Sequence, residues 1–297
     1  MRVEQATSEQ YDALVALGVR RNRHLSETDA GWQLMVPETW PGLVALRAVR
    51  GDGTTIGYGW VTRAAHLPPG WAVEWITVSA EAEGCGVGSA LHRALAARTP
   101  TGTTLLTTRV FDDEPRSLAV ARHWGYEVEE LSIESALALV DLPEPLLPAG
   151  VELVACDDLR VRDQPALDAM LRASQTNPEA VHGGRYVTAG SLRSSSRGAR
   201  PVGVLARVEG RPAAITHGVV VGTELFVAYT GVDPAHRGHG LALTVKMQLH
   251  RRAATAGAKV ASTQNEEHNR GIRAVNAALG YEVRQGTYRL RKPVGRA

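Results

Sequence analysis

Apolar and polar positions along the chain fall into short strand-like runs and longer stretches of helical period, and the changes between the two mark the elements. Residues 43–50, 55–63 and 71–78 predict three strands, the first two joined by the strong turn Gly51-Asp52-Gly53. Ahead of them, residues 3–6 predict a short strand and 8–17 a helix with Ser8 as its N-cap, and a further helix falls within 26–36. After them, Gly84-Cys85-Gly86-Val87-Gly88 leads into a helix over 89–97. A β-branched strand at 103–108, a helix at 116–124 and a strand pair over 126–139 complete the first half.

The second half runs in the same order. It predicts a strand at 151–155, a helix at 162–173, a hairpin of 202–208 with 213–221 across Glu209-Gly210-Arg211, and a strand at 224–232. Arg237-Gly238-His239-Gly240 then opens a helix over 241–256, followed by a strand at 259–263, a helix at 268–279 and a closing segment at 281–291. Gly86 and Gly240 stand 154 residues apart and Gly125 and Gly280 stand 155 apart, so two landmarks share nearly one offset. That is the mark of a duplicated unit. Three prolines within 143–148 exclude a helix or a central strand there. The expected organisation is therefore a domain over 1–140, a linker over 141–150 and a domain over 151–297. Strands ahead of a glycine turn and a helix make the class α/β, each domain a mixed, mostly antiparallel sheet flanked by helices. The segment 183–200, rich in Gly, Ser and Arg, reads as a surface loop or an active-site lid.

Composition narrows the function more than the fold. The 297 residues carry 33 basic and 31 acidic side chains, a net charge of +2, which lacks the basic excess of a nucleic-acid binder. Two cysteines, Cys85 and Cys156, make neither a disulfide scaffold nor a four-cysteine zinc site. The run Asp112-Asp113-Glu114 lacks the spaced ligands of a calcium loop, so no metal is expected. No apolar run is long enough to span a bilayer, and Met1 to Gln10 holds no secretory h-region. The expected setting is the cytoplasm, without membrane or nucleic acid, as a monomer or homodimer.

The chemistry concentrates after Val232. A strand ends there, Pro234 sets a turn, and Gly238 and Gly240 lead straight into a helix. Helix-terminal amides would point outward, with no side chain over either glycine and Arg237 beside them, a combination suited to a diphosphate. The spacing fits neither the dinucleotide fingerprint nor a P-loop. A plain strand-to-helix turn has the same glycines.

Arg237-x-x-Gly240-x-Ala242 resembles the Gln/Arg-x-x-Gly-x-Gly/Ala signature of the GCN5-related N-acetyltransferase (GNAT) superfamily. Thr230-Gly231-Val232, Gln264-Asn265 and Leu279-Gly280-Tyr281 are similar to its flanking segments. Ile76-Thr77-Val78, Gly86-x-Gly88 and Trp124-Gly125-Tyr126 repeat them in the first half. The resemblance covers about 250 residues and is to the tandem-domain type. It implies acetyl-CoA as donor and direct attack by an amine. Its pyrophosphate would lie on the backbone of Arg237, Gly238, His239, Gly240, Leu241 and Ala242, and its pantetheine arm along Thr230, Gly231 and Val232. The Val232 amide would meet the thioester oxygen, and Asn269 would cap the last helix or touch the cofactor.

Candidates for proton handling are less determined. His217 has the right intrinsic pKa for a base, and is equally a hydrogen-bonded strand histidine. Glu224 could act through water or only solvate a strand end. Asn276 stands where the family often has a tyrosine acid, and its amide is no proton donor at neutral pH. Tyr229 and Glu74 are further polar residues on the central strands. The first copy carries Glu83 where the second has Arg237, with Glu81 close by, and the acidic run Asp112-Asp113-Glu114 where the second has its Asn265 to Asn269 stretch, so an anion is disfavoured and the first domain reads as degenerate or structural. The expected function is N-acetyl transfer from acetyl-CoA to a small-molecule amine in the second domain. A silent acyl-CoA sensor or scaffold is the alternative, and a tRNA-dependent peptidyltransferase fits the charge poorly.

Overall fold

The computed structural model describes residues 1–22, 40, 42–63, 67–145, 147–175, 187–195 and 199–295, with the backbone alone at 194 and 195. The helix expected within 26–36 lies outside them, as do 183–186 and 196–198 of the segment read as loop or lid. Two compact units divide the chain: Met1–Glu129 with Tyr288–Ala297, and Glu130–Thr287. The division differs from the one expected. The proline-rich residues 141–150 fall inside the second unit, and each boundary runs through a strand.

In the first unit the strands are β1 (Arg2–Gln5), β2 (Val44–Val49), β3 (Thr55–Thr62), β4 (Trp71–Val78) and β5 (Leu105–Phe111). Its last strand is the end of β12 (Glu282–Pro293), and the order is β1-β2-β3-β4-β5-β12. Thr107 Oγ1 donates to the Leu290 carbonyl at 2.9 Å, and Leu290 is fully buried in this unit's core. Helix α1 (Tyr11–Arg21) buries Leu14, Val15 and Leu17 on one face of the sheet with Tyr58 and Trp60. Helix α2 (Val87–Ala96) buries Val87, Leu91 and Leu95 on the other, at the spacing of a single helical stripe. Helix α3 (Pro115–His123) follows β5.

The second unit repeats the plan. Its strands are the main part of β6 (Glu127–Ala138), then β7 (Val151–Ala155), β8 (Arg200–Val208), β9 (Arg211–Val221), β10 (Glu224–Val232) and β11 (Val260–Glu266). They lie in the order β6-β11-β10-β9-β8-β7. Residues 126–139, expected to form a strand pair, hold the single strand β6 over 127–138, with no Gly, Pro, Asn or Asp to turn it. Helices α4 (Gln164–Ser174) and α5 (Ala189–Ser195) cover one face through Leu167, Met170, Leu171 and Leu192. Helix α6 (Leu241–Thr255) covers the other through Leu241, Val245, Leu249 and Ala253, with α7 (Arg270–Ala278) after β11. Among the described residues no helix is long and apolar enough to cross a membrane.

Candidate functional site

In the second unit β10 and β11 pair in parallel from Glu224 with Val260 to Val227 with Thr263, and the pairing stops there. A bulge falls at Ala228, where the β9 register shifts, and from Tyr229 to Val232 β10 continues on β9. Antiparallel pairs alternate between bonded and non-bonded. The Asp233 amide bonds to the Ala213 carbonyl at 2.8 Å, which makes Gly231 with Ile215 the next bonded pair. Thr230 and Val232 therefore turn their backbone groups away from β9, toward the side that β11 has left. The bulge produces a bare strand edge four residues long.

That edge runs into the glycine turn. The Asp233 carboxylate accepts from the Ala235 amide at 2.9 Å and fixes the short turn Pro234–His236. Gly238 and Gly240 adopt φ of +80° and +76°, a region costly for any residue with a Cβ, and a Cβ at either would meet nothing within 4 Å. Among the described residues no side chain caps α6, and the first amide to bond back is that of Thr244, to the Gly240 carbonyl at 3.0 Å. The amides of Gly238, His239, Gly240, Leu241 and Ala242 thus have no backbone acceptor among the described residues. They present the positive end of a 15-residue helix to open space.

Arg237 is less free than its position in the sequence implies. Its guanidinium donates to the Ser174 carbonyl at the end of α4, at 3.1 Å, while the Ser174 hydroxyl shares a 2.6 Å bond with Tyr229. We expect Arg237→Glu to weaken CoA binding about tenfold by calorimetry, with Arg237→Gln intermediate, because inversion adds repulsion to the lost donor. Equal affinity in all three proteins would remove Arg237 from the anion site.

The other predicted residues are scattered around this edge. Thr230 Oγ1 lies 2.9 Å from Thr216 Oγ1, tying the edge to β9. His217, opposite Tyr229 on β9, is 1% exposed, and its Nε2 meets the Asp157 carbonyl at 3.0 Å. A carbonyl only accepts, so Nε2 carries the proton and Nδ1 is a lone pair, which has no partner among the described residues. Burial lowers the His217 pKa. Asp157 is itself held by Arg252, at 2.8 and 2.7 Å. Glu224 is exposed at the opposite end of β10, where the strand is still paired on both sides, so the structure does not bring it to the splay. Asn269 occupies the N-cap position of α7 without a side-chain cap bond.

Asn276 lies in a buried polar chain that the sequence reading missed. Its Oδ1 accepts from Lys246 Nζ at 2.5 Å and its Nδ2 donates to Asn265 Oδ1 at 2.7 Å. Lys246 is fully buried on α6, 4.6 Å from the centre of the Tyr281 ring, and burial pushes its pKa down to about 7. One turn later, His250 Nε2 shares a 2.7 Å hydrogen bond with the Tyr281 hydroxyl, and burial, then Lys246, lowers His250 to about 3. The one legible signal was Lys246 and His250 at i, i+4, flanking the apolar stripe of Leu241, Val245 and Leu249.

The first unit has its own splay, and there a cavity of about 610 Å³ lies between β4, β5 and the starts of α2 and α3. Parallel pairing ends at Val73 with Thr107. Gly84 and Gly86 repeat the positive φ of the second unit's turn, at +73° and +78°. The acids expected to repel an anion have a counter-charge: Arg21 lies 2.6 Å from Glu83 and 3.0 Å from Glu114. The repulsion read from the sequence is therefore reduced, not absent, since one guanidinium faces two carboxylates.

No family model matches the chain, and no curated protein matches it. Solved structures do. The GCN5-related N-acetyltransferase from Sphaerobacter thermophilus has a TM-score of 0.77 at 15% identity, over 98% of this chain and 95% of that one. A tandem GNAT protein from the clavulanic acid biosynthesis pathway has a TM-score of 0.76 at 21% identity, covering 100% of both chains. A GCN5-related N-acetyltransferase from Kribbella flavida aligns over 82% of this chain and 89% of its own, at 0.58 and 20%. Two α/β units, each with a splayed sheet and a glycine turn at a helix start, define the class. The fold is that of a tandem GCN5-related N-acetyltransferase.

Proposed function

We propose that the protein is an N-acyltransferase that uses acetyl-CoA as donor and a small-molecule amine as acceptor, with the second unit as the working one. The observation that carries this is the continuity of the bare β10 edge with the unpartnered amides that open α6. The open Cβ positions of Gly238 and Gly240 fit a diphosphate that must approach backbone closely. In this reading Gly238 to Ala242 hold the diphosphate, and the outward groups of Thr230 and Val232 pair with the amide-bearing arm. When bound, the donor supplies a thioester carbon open to attack by a neutral amine.

The chain's part is to orient, to exclude water and to accept a proton. The Val232 amide is the donor best placed along the edge for a developing oxyanion. For the proton we favour His217, because it stands opposite Tyr229 beside the bulge and its Nδ1 is an acceptor that no described residue fills. Glu224 is too far along β10 to serve. The test is acetyl-CoA-dependent thiol release across a panel of small amines. Amine-dependent release above background hydrolysis supports the proposal. Tight CoA binding without turnover for any amine overturns the enzyme, and absence of CoA binding overturns the site.

A further inference from the structure

We propose that the cavity of the first unit is a second ligand site, which binds the ammonium group of a compact amine against the buried carboxylate of Glu74. This is independent of the acyl-transfer reading, since it rests on a different unit and a different charge. Glu74 is the residue after the last parallel pair of β4 and β5, so it stands at the apex of the splay. It is 2% exposed and lines the cavity.

The carboxylate is held rigidly from behind. His92 Nδ1 lies 3.0 and 2.9 Å from its two oxygens, and the Tyr126 hydroxyl donates to Oε2 at 2.6 Å. Lys292 Nζ, which has only hydrogens to give, meets His92 Nε2 at 3.1 Å and so places the ring proton on Nδ1. Two donors thus serve a group with about four acceptor positions. Lys292 answers its charge only across the imidazole ring. Among the described residues no lysine or arginine nitrogen lies within 4.0 Å of it, and the neutral His92 ring gives it a hydrogen bond without a charge.

The surroundings favour a cation at the apex. Trp124 and Tyr126 line the cavity on the Glu74 side of the sheet, and aromatic rings beside a carboxylate suit an ammonium group. Trp124 is locked parallel to His92, ring centres 4.6 Å apart, so its orientation is preset. Ile76, Val78 and Val110 supply apolar wall for a short hydrocarbon body. Three carboxylates and three guanidiniums line the cavity, and they are unevenly placed. Arg109 and Arg116 are exposed and Arg21 lies between Glu83 and Glu114, whereas Glu74 is the buried charge, where attraction is least screened. By the 154-residue offset the matching residue of the second unit is Ala228, so this recognition belongs to the first unit alone.

The experiment is calorimetry on the full chain without any CoA, using n-hexylamine and, as its neutral counterpart, n-hexanol. Saturable binding of the amine and little of the alcohol is expected. Glu74→Gln keeps an acceptor oxygen for Tyr126 and His92 while removing the charge, and should weaken the amine at least about tenfold. Val120→Trp obstructs the cavity from an exposed position on α3, away from the Glu74 cluster, and should weaken it as well. Melting curves check that both variants fold. Amine binding unchanged in both variants, equal binding of the alcohol, or no saturable amine binding by the wild-type chain overturns the proposal.

Discussion

A Gly240→Val chain will fold, will lose most of its affinity for CoA, and will release thiol from acetyl-CoA at least about 100-fold more slowly in the presence of an accepted amine. Gly240 sits at φ +76°, where a β-branched residue is strained, and the new side chain would enter the open space above the amides that begin α6. The strain costs about 1–2 kcal/mol, which lowers the melting temperature by a few degrees. The loss of binding is larger because it has two sources. Relaxing the strain rotates the amides away from a common focus, and not relaxing it puts an isopropyl group where the diphosphate should lie. Calorimetry with CoA separates that effect from slower chemistry. Gly86→Val, at φ +78° in the first unit, is the internal control. Wild-type binding and turnover in that variant are expected; if the two variants exchange their effects, the donor site belongs to the first unit.

Lys246 dominates the pH dependence of stability expected above neutrality. Its folded pKa, about 7, lies below the ordinary 10.5 because burial penalises the ammonium form. Between those values the unfolded chain binds more protons than the folded one, so stability rises with pH. The penalty is fully present below pH 7 and shrinks as pH rises toward 10.5. It amounts to a few kcal/mol. Denaturant midpoints of the wild-type chain should therefore climb from pH 7 to 9.5, whereas those of Lys246→Met should stay nearly flat. Below pH 7 the methionine chain should be the more stable, less about 1–3 kcal/mol for the acceptor left unpaired on Asn276. A parallel climb in both proteins would mean that Lys246 keeps an ordinary pKa. His250 works on the acid side: its lowered value makes stability fall as pH drops from 6.5 toward 3, because protonation would bury a charge and, secondly, place it beside Lys246.

Local pattern was enough for much of the fold. Strands β4, β7 and β10 fall where the alternation puts them, and the shared offset of the glycine turns identifies a repeated unit before any packing is considered. The turn from Asp233 to Gly240 was legible for the same reason: its cap, its positive φ angles and its free amides are set by residues within one short stretch. Glu224 was misjudged because a strand's sequence does not say at which end its neighbour departs; the bulge at Ala228 decides that.

What the sequence by itself determined is thus the α/β class, the duplication and the anion-suited turn, all products of near-neighbour chemistry. Tertiary structure alone decided which strands complete each unit, since β12 and β6 choose partners far away along the chain. It decided that Arg21 answers Glu83 and Glu114, 62 and 93 residues distant, and that His92, Tyr126 and Lys292 converge behind Glu74. It also buried Lys246, a charged residue type that sequence alone does not place. The physical reason is common to all of these: charge and burial depend on which surfaces meet, and side chains distant in sequence meet only when the chain folds.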